Sequence, residues 1–97
     1  MKPLQISEPA SVELAEAVRW YEERRPGWGA RLFDAVSQTF QVIEQFPDSG
    51  ARRRAAARQL PVRGFPLLVV YRIRPDVVYV VAVAHAKRRP GYWMNRP

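Results

Sequence analysis

The sequence predicts an α+β fold: a short N-terminal strand, then an α-helical hairpin packed on one face of an antiparallel β-meander. Two stretches within residues 8–45 carry apolar residues at helical spacing, and three short β-type stretches with tight links follow within residues 58–85. The 97 residues are enough for one modest core. We therefore expect a single domain over residues 1–97, with the element order β-α-α-β-β-β.

The N-terminal half is predicted to hold the first strand and both helices. Leu4-Gln-Ile6 alternates as a strand does, and Ser7 is suited to cap a helix whose first turn contains Glu8 and Pro9. This helix should end at residues 24–27, because proline disfavours helix at the residue before it and glycine can take a left-handed turn. Its apolar stripe comprises Ala10, Leu14, Ala17, Val18 and Tyr21. The second helix is predicted over residues 29–45, with Leu32, Val36, Phe40 and Ile43 facing inward.

The C-terminal half is predicted to supply three strands, over residues 58–63, 67–74 and 77–85. Pro61 has no backbone N–H to donate, so the first of them should lie at an outer position of the sheet. The segment Ala51–Ala57, around Arg52–Arg54, follows a turn at residues 47–50. Its alanines and arginines favour helix, but its position between a turn and a strand favours an exposed, solvated loop, the alternative for the arginines being contact with the antitoxin or with nucleic acid. The apolar run Val77–Ala84 predicts an inner strand that is covered on both faces, or nearly so.

The charge of the chain is unevenly distributed. Residues 1–48 hold eight acids and five bases, whereas residues 49–97 hold one acid, Asp76, and eleven bases, so the net charges are −3 and +10. This asymmetry predicts a basic face whose partner is a polyanion or an acidic peptide, the alternative being a merely solvated basic surface.

Composition limits the cellular compartment that we expect and the kinds of disulfide or metal site that the chain can form. There is no cysteine and only one histidine, which excludes disulfides and thiolate sites and argues against a transition-metal site, so we expect no metal and no cofactor. The N-terminal residues lack the apolar core of a signal peptide, and the longest apolar run is far below the ~20 residues that span a membrane. A cytoplasmic protein without membrane contact is therefore expected.

The last predicted strand ends in the only histidine, His85, and leads into the cations Lys87–Arg89 and the aromatic residues Tyr92 and Trp93. Cations and planar side chains bind phosphates and stack on bases, and the same cations suit an acidic peptide. Two structural alternatives remain open. His85 could be a strand-end residue hydrogen-bonded to the tail, and the two aromatic residues could be a hydrophobic latch that folds the tail back onto the sheet.

Five segments, in this order and spacing, resemble the RelE/ParE toxins of type II toxin–antitoxin modules. They are Ala15-Glu-Ala-Val-Arg-Trp-Tyr21, Ile43-Glu-Gln-Phe-Pro47, Arg63-Gly-Phe-Pro66, Val70-Tyr-Arg72 and Val83-Ala-His-Ala-Lys-Arg-Arg-Pro-Gly-Tyr-Trp93. The resemblance spans essentially the whole chain. It implies a cytoplasmic bacterial toxin that is held inactive by a cognate antitoxin, whose acidic C-terminal segment is disordered alone and wraps around the toxin.

The resemblance leaves two mechanisms open, and with them the question whether the protein is an enzyme. A ParE-like protein would poison DNA gyrase by binding, whereas a RelE-like protein would be a ribosome-dependent mRNA endoribonuclease. The ribonuclease branch commonly has a basic residue where this chain has Leu68, which favours the ParE-like branch. If the protein is a nuclease, its catalytic residues would be His85, Arg88 and Tyr92, supplying acid–base chemistry and a phosphate clamp.

Two binding sites are predicted from these considerations. An open sheet face flanked by arginines would bind the target, through Arg63, Arg72, Lys87, Arg88, Arg89 and Trp93. The helical hairpin carries large aromatic residues beside its core stripe, and such residues often anchor a partner. The antitoxin is therefore expected to contact Trp20, Trp28, Arg63 and Arg72.

Overall fold

A computed structural model describes residues 2–97, in which five strands and two helices follow the predicted α+β order with one strand added. A helical hairpin covers one face of the sheet, as predicted. The elements are β1 (Leu4–Ile6), α1 (Glu8–Arg24), α2 (Trp28–Gln45), a short 3₁₀ turn (Pro47–Ser49), β2 (Ala51–Arg52), β3 (Ala57–Pro61), β4 (Leu67–Ile73) and β5 (Val78–His85).

The start of α1 is fixed by the predicted cap. The Ser7 Oγ accepts a hydrogen bond from the Ala10 amide at 3.2 Å and donates to the Val81 carbonyl at 3.3 Å. Ser7 is itself buried, so the cap also ties α1 to β5 across the core. A single serine therefore determines both where the helix begins and where it lies on the sheet.

The link between the helices is held by a carboxylate that the sequence analysis did not single out. Glu22 accepts hydrogen bonds from the amides of Gly27 and Gly29, at 3.1 and 3.0 Å, and so satisfies donors at the start of α2. Gly27 has φ +91°, which glycine tolerates. Gly29 lies where a Cβ would be 2.9 Å from the Val18 carbonyl, so the close approach of the two helices requires a glycine there.

The sheet has the order β1-β5-β4-β3-β2. β1 pairs with β5 in parallel, with Leu4 opposite Val78, and the other neighbouring pairs are antiparallel. β5 is hydrogen-bonded on both sides and buried along most of its length, which confirms its predicted inner position. The position and parallel direction of β1 could not be read from the meander, since they depend on how α1 brings the chain back across the sheet.

The segment at residues 51–57, expected to be a loop, instead forms a β-hairpin. Ala51 pairs with Gln59 in β3, and the turn closes with Ala55 and Ala56 at φ 57° and 54°. The prediction was wrong because alanine and arginine carry no hairpin signal, while pairing with β3 satisfies the backbone. β2 pairs only with Arg58 and Gln59 of β3, so Pro61, at the end of β3, has no strand partner on that side. The proline therefore lies at an outer position of the sheet, as predicted.

Side chains pack on both faces of the sheet. The main core lies between the sheet and the helices and includes Leu32, Val36, Ile43, Val69, Tyr71 and Val80. On the opposite face, Trp93 packs with Val70 and Val81, flanked by Tyr92 and Met94. This second core confirms the latch interpretation of the tail. It also corrects the expectation of an open sheet face, because the C-terminal segment covers much of it.

Neither helix of the described residues is long and apolar enough to cross a membrane. Residues 2–97 contain no group of three or more histidine, cysteine or acidic residues that could hold a metal ion.

Candidate functional site

The end of β5 holds His85 in a tight turn. His85 pairs with Leu67 in β4, and the amides of Ala86 and Arg88 donate to the carbonyls of Pro66 and His85, at 2.8 and 3.0 Å. The His85 Nδ1 accepts a hydrogen bond from the Lys87 amide at 3.1 Å, which requires the proton of the neutral ring to be on Nε2. This hydrogen bond matches the structural alternative for His85. The exposed ring still has one nitrogen free for another group.

Glu13 of α1 organises the tail, and the sequence analysis missed it. Its carboxylate accepts hydrogen bonds from the Val83 amide at 3.0 Å and the Tyr92 hydroxyl at 2.7 Å. Arg96 donates to both carboxylate oxygens, at 3.0 and 3.1 Å, and Arg88 approaches to 3.3 Å. A sequence signal existed: Glu13 stands between Ala10 and Ala17 at helical spacing, on the stripe that faces the sheet.

These contacts with Glu13 involve Arg88 and Tyr92, the two residues of the predicted catalytic set that follow β5. The Arg88 guanidinium lies 3.7 Å from the centroid of the Tyr92 ring, so the two side chains stack while both bind Glu13. Burial raises the pKa of Tyr92 well above its ordinary value, and the hydrogen bond to Glu13 raises it further. Tyr92 is therefore a neutral phenol whose hydroxyl already donates a hydrogen bond to Glu13. A phenol in this state is a poor general base.

Two residues predicted to bind the target are occupied within the fold. Trp93 is only 5% exposed, and its ring packs in the second core. Arg72 lies under the tail, where it donates to the carbonyls of Ala55, Arg96 and Met94 at 2.9, 2.7 and 3.3 Å. The expectation that Arg72 flanks an open face must be corrected for the same reason: the tail lies on that face and takes its donors.

The remaining predicted cations are available at the surface. Arg63, Lys87 and Arg89 are exposed, and Arg88 is half-exposed at 53% of its side chain despite its contact with Glu13. Arg63 borders a shallow groove that is lined by Pro61 and by residues of α2, among them Gln38 and Thr39. The link that carries Arg63 lies at the same end of the sheet as the Lys87–Arg89 group, because Pro61 pairs with Leu68 and Leu68 with Ala84.

Trp20 is the exposed aromatic residue of the hairpin. Its ring is 49% exposed, and the Arg24 guanidinium lies 3.6 Å from the ring centroid. Trp20 borders a groove of about 360 Å³ between α1 and the end of β5, whose lining also includes His85 and Arg88. An apolar anchor point and one cation of the turn after β5, Arg88, thus share one groove.

Trp28 is more deeply integrated than Trp20. It is half-buried, and its ring lies edge-to-face with Phe65 at 6.0 Å between centroids. The guanidinium groups of Arg25 and Arg31 each lie 5.4 Å from that ring. These contacts assign Trp28 mainly to the packing of the hairpin against the link before β4.

A family model described as "ParE toxin of type II toxin-antitoxin system, parDE" matches residues 4–90. The chain belongs to the ParE toxin family. The match covers nearly the whole chain and confirms the predicted ParE-like branch, so this ParE chain is the toxin component of a type II toxin–antitoxin system. The tail residues Tyr92 and Arg96, which Glu13 binds, lie beyond the matched range.

A solved structure described as "Chromosomal ParDE TA system from P. aeruginosa" has the same fold as this ParE chain. The two align with a TM-score of 0.80 at 14% sequence identity, over 90% of this chain and 98% of that chain. At this identity the likeness concerns the fold. No curated protein matches the chain in sequence.

Proposed function

We propose that this ParE toxin arrests growth in the bacterial cytoplasm by poisoning DNA gyrase, and that a cognate antitoxin neutralises it. The observation that carries this proposal is the match to the ParE toxin family over residues 4–90, because the ParE-like branch is the one that the sequence resemblance links to gyrase. The toxin acts by binding, and no bond is made or broken by its own side chains.

The condition of the predicted catalytic residues supports a binding protein over a ribonuclease. Tyr92 and Arg88 are both engaged with Glu13, and the raised pKa of Tyr92 disfavours proton abstraction. Cleavage at the neighbouring 2′-hydroxyl requires a base and an acid together with a phosphate clamp, so two of the three groups would first have to leave their partners.

The gyrase proposal is tested with purified toxin and purified gyrase. Added toxin should abolish supercoiling of relaxed plasmid, and Lys87→Glu with Arg89→Glu should raise the toxin concentration required by tenfold or more. Arg31→Glu is the control, because Arg31 is an exposed arginine on α2 and is not part of the turn after β5. Undiminished supercoiling at saturating toxin would refute the proposal.

The nuclease alternative has its own measurement. Primer extension on cellular mRNA soon after induction should show intact transcripts under the gyrase proposal. Codon-positioned cleavages that disappear in His85→Ala would instead establish the ribonuclease.

For the antitoxin, we propose that the groove beside Trp20 takes an apolar anchor while acidic side chains of the same segment meet Arg63 and Arg88. Trp20→Ala should raise the dissociation rate by about 30-fold, because buried aromatic anchors dominate such interfaces and act mainly on dissociation. Arg63→Glu should slow association and weaken its salt dependence. Stopped-flow binding measures both effects. Phe46→Ala, at an exposed apolar residue after α2, serves as the control.

The proposed anchor would be wrong if Trp20→Ala and Phe46→Ala had the same small effect on dissociation. An association rate that did not change with salt concentration would refute the proposed role of the cations.

A further inference from the structure

Two turns that carry cations lie beside the sheet face on which Trp93 packs. The turn between β2 and β3 carries Arg53 and Arg54, and the turn after β5 carries Lys87 and Arg89; we call these four residues the turn cations. All four are exposed. Among residues 2–97, the ion pairs are formed by Arg58, Arg88 and Arg96, so none of the turn cations has an acidic partner there.

The two turns adjoin one another across a concave surface. A cavity of about 140 Å³ is bordered by Arg53 from the first turn and by Arg89 from the second. A neighbouring cavity of about 210 Å³ is bordered by Arg53, Arg54 and Pro90. Arg53 thus belongs to both, and the surface between the turns is continuous.

The backbone holds both turns in place. The Arg53 amide donates to the Ala57 carbonyl at 2.7 Å and closes the β2–β3 hairpin. After β5, the Arg88 amide donates to the His85 carbonyl at 3.0 Å, and Trp93 anchors the following segment in the second core. The cations therefore extend from fixed positions, which lowers the entropy lost when they bind a ligand.

The surroundings of the turn cations favour a phosphate polymer over an acidic peptide. A peptide of the kind expected for the antitoxin needs apolar anchors, but the large exposed hydrophobic residues all lie elsewhere: Ile6, Val12, Trp20, Phe33, Val42, Phe46 and Ile73. Asp76, the single acid of residues 49–97, lies between β4 and β5 and therefore in neither of the two turns. Phosphates require only cations and no apolar contact.

We propose that the turn cations form a binding surface for the phosphate backbone of duplex DNA, without sequence preference. Arginine suits this role because its planar fork binds phosphate through two parallel hydrogen bonds. This DNA contact is a property beyond the proposed poisoning of gyrase. Each proposal can be refuted without the other, because DNA binding is measured in the absence of gyrase.

The test is fluorescence anisotropy of a labelled 20-base-pair duplex of arbitrary sequence, titrated with the full chain at several potassium chloride concentrations. Neutralising four phosphates predicts that log K falls with log salt at a slope of about −3.6, or roughly 100-fold between 50 and 200 mM. Arg53→Gln with Arg54→Gln should bring the slope to about −1.8. The matched control is Arg25→Gln with Arg31→Gln, which removes the same charge near Trp28 and should leave the slope unchanged.

Several outcomes would overturn this proposal. They are a wild-type slope weaker than about −1, an equal loss of slope in the control pair, and tighter binding of a single-stranded RNA of the same length. The proposal would also be overturned if the Arg53→Gln/Arg54→Gln variant bound an acidic antitoxin peptide more weakly than the wild type does but bound DNA equally well. Circular dichroism checks folding. If that pair unfolds, Lys87→Gln with Arg89→Gln should give the same reduction in slope, and its failure to do so would refute the surface.

Discussion

Glu13→Gln is predicted to loosen the C-terminal segment from the sheet and to destabilise the whole fold. The Glu13 side chain is 11% exposed, and its two oxygens serve the Val83 amide, the Tyr92 hydroxyl and the Arg96 guanidinium at 2.7–3.1 Å. Glutamine has nearly the same shape but loses the charge and one acceptor. The substitution therefore removes ionic contacts while leaving little room for a cavity.

The size of the effect follows from the burial of the partners. Breaking a buried ion pair by removing one member costs ~3–5 kcal/mol. Arg96 is 24% exposed and Arg88 53% exposed, so water recovers part of this cost. The glutamine oxygen also keeps one hydrogen bond. We therefore expect a loss of about 2 kcal/mol in the free energy of unfolding, which lowers Tm by about 10 °C in a domain of this size.

Urea denaturation followed by far-UV circular dichroism measures this loss. Glu16→Gln is the control, because Glu16 is exposed on the same helix and makes the same change of charge. A double-mutant cycle with Arg96→Gln should give a coupling energy of about 1 kcal/mol or more. The reasoning fails if Glu13→Gln lies within ~0.5 kcal/mol of the wild type, the range of ordinary surface substitutions, or if Glu16→Gln costs as much.

Three further outcomes are expected. Gly50→Ala forces a methyl group against the Tyr71 hydroxyl and should cost about 2 kcal/mol in urea denaturation. Because the folded-state pKa of Tyr92 is raised, its stabilisation is complete below about pH 10 and is lost as pH rises above it. Tyr92→Phe should therefore reduce the alkaline loss in free energy of unfolding measured against pH, and the remainder comes from Tyr71, whose pKa burial also raises. Trp93→Ala should cost about 3 kcal/mol and lower Tm, because it empties the second core.

Local signals in the sequence were sufficient for most of the elements. The cap at Ser7, the stop at residues 25–27 and the apolar run of β5 each act through neighbouring residues, so their positions were predictable within one or two residues. The hairpin at residues 51–57 was missed because Ala55 and Ala56 take a left-handed turn for which alanine has no preference. That conformation is maintained by pairing with β3.

The residues of the candidate site were largely predictable, but the contacts between distant residues were not. The sequence placed His85 and the cations after β5 together, and the latch role of Tyr92 and Trp93 was foreseen as one alternative. It could not reveal that Glu13, 79 residues before Tyr92, accepts a hydrogen bond from that residue's hydroxyl. Contacts over such separations depend on how the elements are arranged.

The sequence by itself determined the α+β class, the basic second half and the family, because periodicity, charge and motif order are properties of the chain. The tertiary structure alone decided which cations are available. Arg72 and Arg96 are consumed by contacts within the fold, while Arg53 and Arg89 come together from turns 36 positions apart in the chain and remain exposed. The physical reason is that a charge becomes a binding group only where packing leaves it unpaired, and packing is settled by distant parts of the chain.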